Sequence, residues 1–318
     1  MSVFPRSTAP LTKTKVSGVL LIDKPQGMTS QQVVSKVKFL LKSPQHDSKK
    51  AGHTGTLDPM ATGLLPICLG EATKFSHYQL NANKRYEATI KLGEKTDTGD
   101  ADGQVIETKD ISTITEQDLS KVAEQFFGKI TQIPPMYSAL KKDGKRLYEL
   151  AREGIEIERQ PREIEIFELN LTFIKKDLLK LVVTCSKGTY VRVLGEDIAQ
   201  TLGTVGHLVS LRRLATGDFD IQDAITLADF EQLDFDKRLQ KLLPIDECVK
   251  FLPKLTLDDT QSLRILQGQR LNVKSLAISQ QIFSHEPQEI RLFNEQQQFL
   301  GVAMLEENGR LQPVKLVN

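Results

Sequence analysis

The chain carries none of the short signatures that announce the commonest enzyme chemistries. Its 318 residues contain no Walker loop, no dinucleotide-binding glycine fingerprint and no G-x-S-x-G elbow. P-loop hydrolysis, Rossmann-type redox chemistry and hydrolysis by a serine elbow therefore lack their usual sequence support. Cysteine is scarce, with Cys68, Cys185 and Cys248 scattered through apolar or strand-like contexts. Such spacing matches neither a zinc site nor a disulfide framework, and a reducing cytoplasm is the expected setting. No second histidine or cysteine stands at ligand spacing, so zinc chemistry has no support. No apolar run approaches the length of a membrane span. The opening residues, MSVFPRSTAPLTKTK, lack the apolar segment of a signal peptide, and residues 1–16 are expected to form a flexible extension. An excess of either charge is missing too: the formal net charge is +1, so local patches must decide whether nucleic acid is a partner.

What remains is 39% hydrophobic and 26% charged, the balance of a globular protein with one large domain or two unequal ones. The most punctuated stretch is 51–73, AGHTGTLDPMATGLLPICLGEAT, which holds four glycines, two prolines, one histidine and one aspartate ahead of and among apolar residues. Glycine opens backbone conformations closed to other residues, and proline fixes φ and removes a donor. The stretch is too irregular for a helix and too apolar for a solvent loop. It reads as an ordered, partly buried loop that displays His53 and Asp58, anchored by a short strand behind it. An aspartate in such a loop can be a nucleophile, an acid or base, a ligand or a turn former. Turn formation is the commonest use, and a lone histidine is more often structural than catalytic.

Around this stretch the patterning alternates between strand and helix. Residues 18–23 (GVLLID) form a continuous apolar run, as in a buried strand, and Val33, Val34, Val37, Leu40 and Leu41 follow at helical spacing behind a Thr29 or Ser30 cap. Residues 42–50 read as a surface loop. Tyr86, Ala88, Ile90 and Leu92 alternate with polar neighbours, the pattern of a half-buried strand. The turn-rich TDTGDADG segment at 96–103 resembles a calcium loop only superficially, because no bidentate glutamate follows at the twelfth position. Thr115 with Asp118 caps a helix that Gly128 closes. Residues 133–161 mix Lys141, Lys142, Lys145, Arg146 and Arg152 with Tyr137 and Tyr148. That composition suits a phosphate backbone, and it equally suits a solvated helix face, since Glu149, Glu153, Glu156 and Glu158 follow closely. Strands are expected at 164–173 and 179–185, a helix through Leu194, Ile198 and Leu202 to Gly203, and a strand edge at 208–214. Beyond a composition shift near 249–253, residues 252–318 read as a small β-rich domain, with a helix at 260–267 and an Asn308-Gly309 hairpin turn. Taken by themselves, these features indicate a two-domain enzyme with an aspartate-centred site and a capacity for RNA.

Six segments carry a closer likeness: KPQGMTS, GHTGTLDPMATGLLPICLGEATKFS, KRYEATIKLGEKTDTGDADG, IPPMYSALKKDGKRLYELAREG, CSKGTYVR and LRRLATG. In this order, over most of residues 17–220, they resemble the bacterial tRNA pseudouridine-55 synthases of the TruB family. The resemblance implies an α+β fold: a large mixed, mostly antiparallel sheet with flanking helices, followed by a small PUA-like β domain at 252–318. It implies a catalytic domain over 17–251 with a thumb-like RNA-binding insertion at about 133–161. It also implies isomerisation of uridine 55 in the tRNA T arm by a cytoplasmic monomer that uses neither cofactor nor metal.

Residue by residue, the likeness makes Asp58 the nucleophile, attacking C1′ or C6 or assisting a glycal route. It gives His53 the place vacated by an extruded base. Tyr86 would stack on the uracil, Arg192 would pair with Asp58 and keep it ionised, and Tyr190 would line the nucleotide pocket. Leu211, Asp100 and Lys74 match further positions lining the site. Strand packing, a turn and a solvated charge are their plain structural alternatives. Tyr137, Lys141, Lys142 and Arg146 become expected RNA-backbone contacts. Two rival readings are an RNA chaperone that folds tRNA without catalysis and a guide-RNA-dependent synthase. An intact Asp58 speaks against chaperoning alone, and the thumb-like stretch speaks against dependence on a guide.

Overall fold

The computed structural model describes residues 13–111, 113–138, 140–273 and 286–317, with Lys142 and Arg146 described by their backbone alone. A ten-stranded sheet forms the body of the protein. Its main path runs Ile225–Thr226, Gly18–Lys24, Thr62–Leu69, Gly206–Thr216, Lys84–Leu92, Leu178–Cys185, Arg162–Lys175 and Gly128–Gln132. Only two pairings on that path are parallel, 206–216 with 62–69 and 225–226 with 18–24, so the sheet is mixed and mostly antiparallel as expected. The 206–216 strand lies inside the sheet, between 62–69 and 84–92, and is not an edge.

Helix Ser30–Leu40 shows why the chain folds this way locally. Thr29 accepts from the Gln32 N–H and Gln32 reaches back to the Thr29 N–H, closing a capping box. Three valines in the helix each cost up to about 0.7 kcal/mol in propensity. Val33, Val34, Val37 and Leu40 are all buried against Leu20, Ile22, Leu65 and Ile67. Burial of one such side chain contributes roughly 1.5–3 kcal/mol, so packing decides. On the other half of the sheet, Leu119 and Val122 of helix Glu116–Gln125, with Leu194 and Ile198 of helix Val191–Thr201, cover Ile90, Leu181 and Val183.

The carboxyl-terminal segment builds a separate five-stranded sheet, with helix Asp259–Leu266 packed beside it. The two sheets share a core: Val302 and Phe299 pack with Val19, Cys68, Ala72 and Phe75. Tyr78 donates to Glu289 at 2.8 Å across the same boundary. The hairpin at 306–310 has positive φ at Gly309 but not at Asn308, and Gly309 N–H donates to the Glu306 carbonyl at 2.9 Å. It is a three-residue loop with glycine in the left-handed position, a different turn from the one an Asn-Gly pair suggests.

Two segments expected to be loose are built into the fold. Thr14–Lys15 pairs in parallel with His46–Asp47, so the expected extension at 1–16 and the expected loop at 42–50 zip together in part. Val16 is buried, and the Ser17 hydroxyl accepts from the Glu71 N–H at 3.1 Å. The remainder of that extension, 1–12, lies outside the described residues. No helix among the described residues is long and apolar enough to cross a membrane.

Candidate active site

The site lies where the large sheet parts. Strand Thr62–Leu69 pairs with 206–216 through only two residues, Thr62 with Arg212 and Gly63 with Arg213. Further along, the same edge is taken by Ala51–His53, opposite Leu69, Cys68 and Ile67. The strand expected to anchor the loop is Thr62–Leu69; the loop ahead of it begins as a strand, Ala51–His53, and 54–61 emerges from the gap as an irregular turn. Gly63 makes the junction possible. It has φ +102°, and a Cβ there would lie 2.3 Å from the Arg213 carbonyl oxygen.

The turn that carries Asp58 is held from three sides. The Ser30 hydroxyl donates to the Leu57 carbonyl at 3.0 Å and accepts from the Leu57 N–H at 2.8 Å. Gly27 N–H donates to the Pro59 carbonyl at 2.7 Å. Lys24 is fully buried and donates to the carbonyls of Pro25 (2.9 Å) and Pro59 (3.5 Å). Burial pushes the Lys24 ammonium down to about 8, partly opposed by the Asp58 charge. The KPQGMTS segment thus acts as the seat of the aspartate turn, because its Lys24, Gly27 and Ser30 all bind that turn.

Arg192 organises the opposite wall. Its guanidinium sits 3.1 Å from Asp58 Oδ2 and 3.4 Å from Asp100 Oδ2. It also donates to the carbonyls of Thr98 (2.8 Å) and Tyr137 (2.6 Å). The Arg192 and Asp100 side chains are each 6% exposed and the Asp58 side chain 41%, so the one open partner is the carboxylate facing the cleft. Burial nevertheless raises the Asp58 carboxyl above its ordinary value, with Arg192 the strongest opposing influence and Asp100 adding to the rise. Arg192 was expected to keep Asp58 ionised, and its charge pulls the carboxyl in that direction against burial.

The remaining expected residues fall into two groups. Tyr86 and Leu211 are buried in one apolar cluster with Leu57 and Met60, lining the site from the sheet. Burial raises the Tyr86 phenol, and the nearby Arg213 charge pulls it down. His53 is half-buried; burial and then Arg213 lower its imidazole, which favours the neutral ring. Tyr190 is clasped by Gln132, whose side chain accepts from the Tyr190 N–H at 2.8 Å and donates to its carbonyl at 3.1 Å. Asp100 is a turn former and an Arg192 partner together, since its Oδ1 also accepts from Thr98 Oγ1 at 2.6 Å. Lys74 stands apart. Its amino group binds Glu71 (2.5 Å) and the Leu316 carbonyl (2.9 Å), tying the large sheet to the last strand of the small one.

In the segment 133–161, Lys141–Lys142 and Lys145–Arg146 form a hairpin around Asp143 and Gly144, both at positive φ. Asp-Gly is a strong hairpin signal that the sequence reading passed over. Lys141 is exposed there; the side chains of Lys142 and Arg146 lie outside what is described. Tyr137, expected on RNA, contributes its carbonyl to Arg192 and so joins the base of this segment to the site.

Sequence reasoning also missed Arg213, 1% exposed, which donates to the carbonyls of Leu64 (2.7 Å) and Gly55 (3.0 Å). Its charge acts on Lys24, His53, Lys84 and Tyr86. The available signal was a charge pair inside an apolar strand, Leu211-Arg212-Arg213-Leu214. Its neighbour Arg212 turns the other way and binds Asp23 through two nitrogens, at 3.0 and 2.7 Å. Among the described residues, no three histidine, cysteine or acidic side chains are grouped to hold a metal ion.

The site therefore sets the Asp58 carboxylate, on a turn held from three sides, against the buried guanidinium of Arg192. Residues 44–191 match the TruB family pseudouridylate synthase (N terminal domain). Residues 192–250 match the tRNA pseudouridylate synthase B C-terminal domain, and 253–317 match the Pseudouridine synthase II TruB, C-terminal region. The chain belongs to the TruB family. It is 56% identical over 340 residues to the tRNA pseudouridine synthase B of Psychrobacter cryohalolentis, with 96% of this chain and 95% of that one covered. It is 46% identical over 307 residues to the tRNA pseudouridine synthase B of Actinobacillus pleuropneumoniae, covering 95% and 96%. The TruB chain is also similar in fold to a chain in the crystal structure of a Cbf5-Nop10-Gar1 complex. The TM-score there is 0.70 at 24% identity, with 95% of this chain and 84% of that one covered.

Proposed function

We propose that this chain isomerises uridine 55 in the T loop of tRNA to pseudouridine. Its relatives named tRNA pseudouridine synthase B, matched over nearly their full length, support the reaction class. The observation that carries the reading is the Asp58 carboxylate, 3.1 Å from a buried Arg192 and partly open to the cleft. The N1–C1′ bond breaks, the base turns, the C5–C1′ bond forms, the C5 proton leaves and N1 gains one. Atoms balance without a co-reactant, so a positioned carboxylate suffices as nucleophile and no cofactor or metal is invoked.

The base must leave its stack to reach Asp58. His53, held neutral, takes the vacated place, and Tyr86 and Leu211 receive the extruded uracil with Tyr190 beside it. Asp100 acts through Arg192 as a positioning residue. Lys74 is left out of the site because its ammonium is committed to Glu71 and Leu316. The hairpin of Lys141, Lys142 and Arg146 contacts the RNA backbone. The PUA-like domain, 252–318, extends the RNA-binding surface of a catalytic domain that begins near residue 13. The enzyme acts as a cytoplasmic monomer. The test is tritium release from tRNA labelled at uridine C5, with wild type and Asp58→Asn. Release by wild type and its loss in the variant, with tRNA binding kept, is expected; turnover by Asp58→Asn overturns the nucleophile.

A further inference from the structure

Arg162, the first residue of its strand, pairs in register with Gln132, the residue that clasps Tyr190. Its guanidinium lies over the Tyr190 ring at 4.7 Å. Nε and Nη2 are shielded from solvent and donate to nothing, and no ion pair to Arg162 exists among the described residues. A shielded cation without an acceptor is costly to keep unless something else supplies the anion. The third nitrogen, Nη1, is not shielded, and Gly188 lies over the guanidinium: a Cβ there would be 3.4 Å from Nη1 and from Cζ and 3.6 Å from Nη2. Gly188 is exposed, so glycine leaves that face of the guanidinium without a covering side chain. Its neighbour Lys187 is exposed as well, and among the described residues its amino group meets the neutral Asn81 amide oxygen alone, at 2.9 Å. Two cations with no carboxylate partner among the described residues therefore flank one bare turn beside Tyr190, which precedes Arg192 by two residues.

We infer that Arg162 and Lys187 form a phosphodiester-binding point for the RNA strand that carries the target uridine. Arg162 receives the phosphate at Nη1, beside Gly188, while its guanidinium stays on Tyr190, so that backbone capture and pocket alignment are one event. Guanidinium suits this dual use, being planar, permanently charged and able to stack and donate at once. The inference rests on the proposed RNA substrate, and binding is measured separately from catalysis so that the two can fail separately.

The experiment measures binding of a T-arm stem-loop RNA across a salt series for wild type, Arg162→Gln, Lys187→Gln and Arg162→Lys, alongside pseudouridine formation. Each neutral variant should bind about tenfold more weakly at low salt. Its log–log salt slope should be shallower by roughly 0.7–0.9, the loss of one phosphate contact. Arg162→Lys should keep the wild-type slope and raise KM, because the charge remains and the stack is lost. Equal slopes in wild type and both neutral variants, or unchanged affinity, would overturn the inference. Melting curves identify a misfolded Arg162→Gln, in which case the exposed Lys187→Gln alone decides. RNA binding with these slopes but without pseudouridine formation by wild type would instead sink the proposed reaction and leave the phosphate point standing.

Discussion

Replacing Arg192 by methionine keeps the length of the side chain and removes the guanidinium that four groups share. Asp58, Asp100 and the carbonyls of Thr98 and Tyr137 lose their donor together. Breaking a buried ion pair by removing one partner costs about 3–5 kcal/mol. The lower end applies here, because the Asp58 side chain is 41% exposed and can rehydrate. Asp100 also keeps Thr98 Oγ1 at 2.6 Å and the Asp102 N–H at 3.1 Å. With about 2–4 °C in Tm per kcal/mol for domains of 150–250 residues, a loss near 3 kcal/mol lowers Tm by roughly 6–12 °C. Chemistry suffers more than folding. Arg192 is the main influence opposing the burial of Asp58, so its removal raises the carboxyl further and moves the acid limb of the pH–rate profile to higher pH. Misplacement of the nucleophile by about 1 Å adds a loss on the order of 100-fold at neutral pH. Thermal melts and tritium release from pH 5 to 8 test this. A variant with wild-type Tm and an unmoved acid limb would refute the shared-guanidinium account.

Further outcomes follow from the same geometry. Asp58 has a folded pKa raised above its ordinary 3.8, so the stability it allows is fully present below that value and is lost as pH rises through the folded pKa. Asp58→Asn should accordingly match wild type in acid and melt slightly higher at pH 7; a lower Tm at pH 7 would contradict that sign. Gly63→Ala forces a Cβ to 2.3 Å from the Arg213 carbonyl at φ +102° and should yield insoluble or strongly destabilised protein. A Tm within about 2 °C of wild type would mean that the strand junction is softer than described. Neutralising Lys141, Lys142 and Arg146 together should weaken tRNA binding and flatten its salt dependence, and an unchanged slope would return the hairpin to a solvated role.

Much of this protein is legible in its residues because the relevant signals are local. Hydrophobic spacing and caps at Thr29 and Thr115 delimit two helices, and alternation delimits the 84–92 strand. Glycine and proline mark 51–73 as a special backbone, and motif order carries the family. Residue pattern singles out Asp58, and the family likeness adds Tyr86, Tyr190 and Arg192, though they are far apart in the chain.

Tertiary structure decides what those signals leave open, because pairing and burial depend on residues far apart in sequence. It sends Asp100 to Arg192 and Lys74 to Leu316, although the likeness placed both at the site. It buries Arg213 beneath the site while Arg212, one residue earlier on the alternate face of the same strand, binds Asp23. It zips Thr14–Lys15 to His46–Asp47, a contact between two segments that each read as loose. Local pattern reports which face is apolar. Which charge meets which carboxylate is settled only when the sheet closes at Gly63 and brings its two halves together.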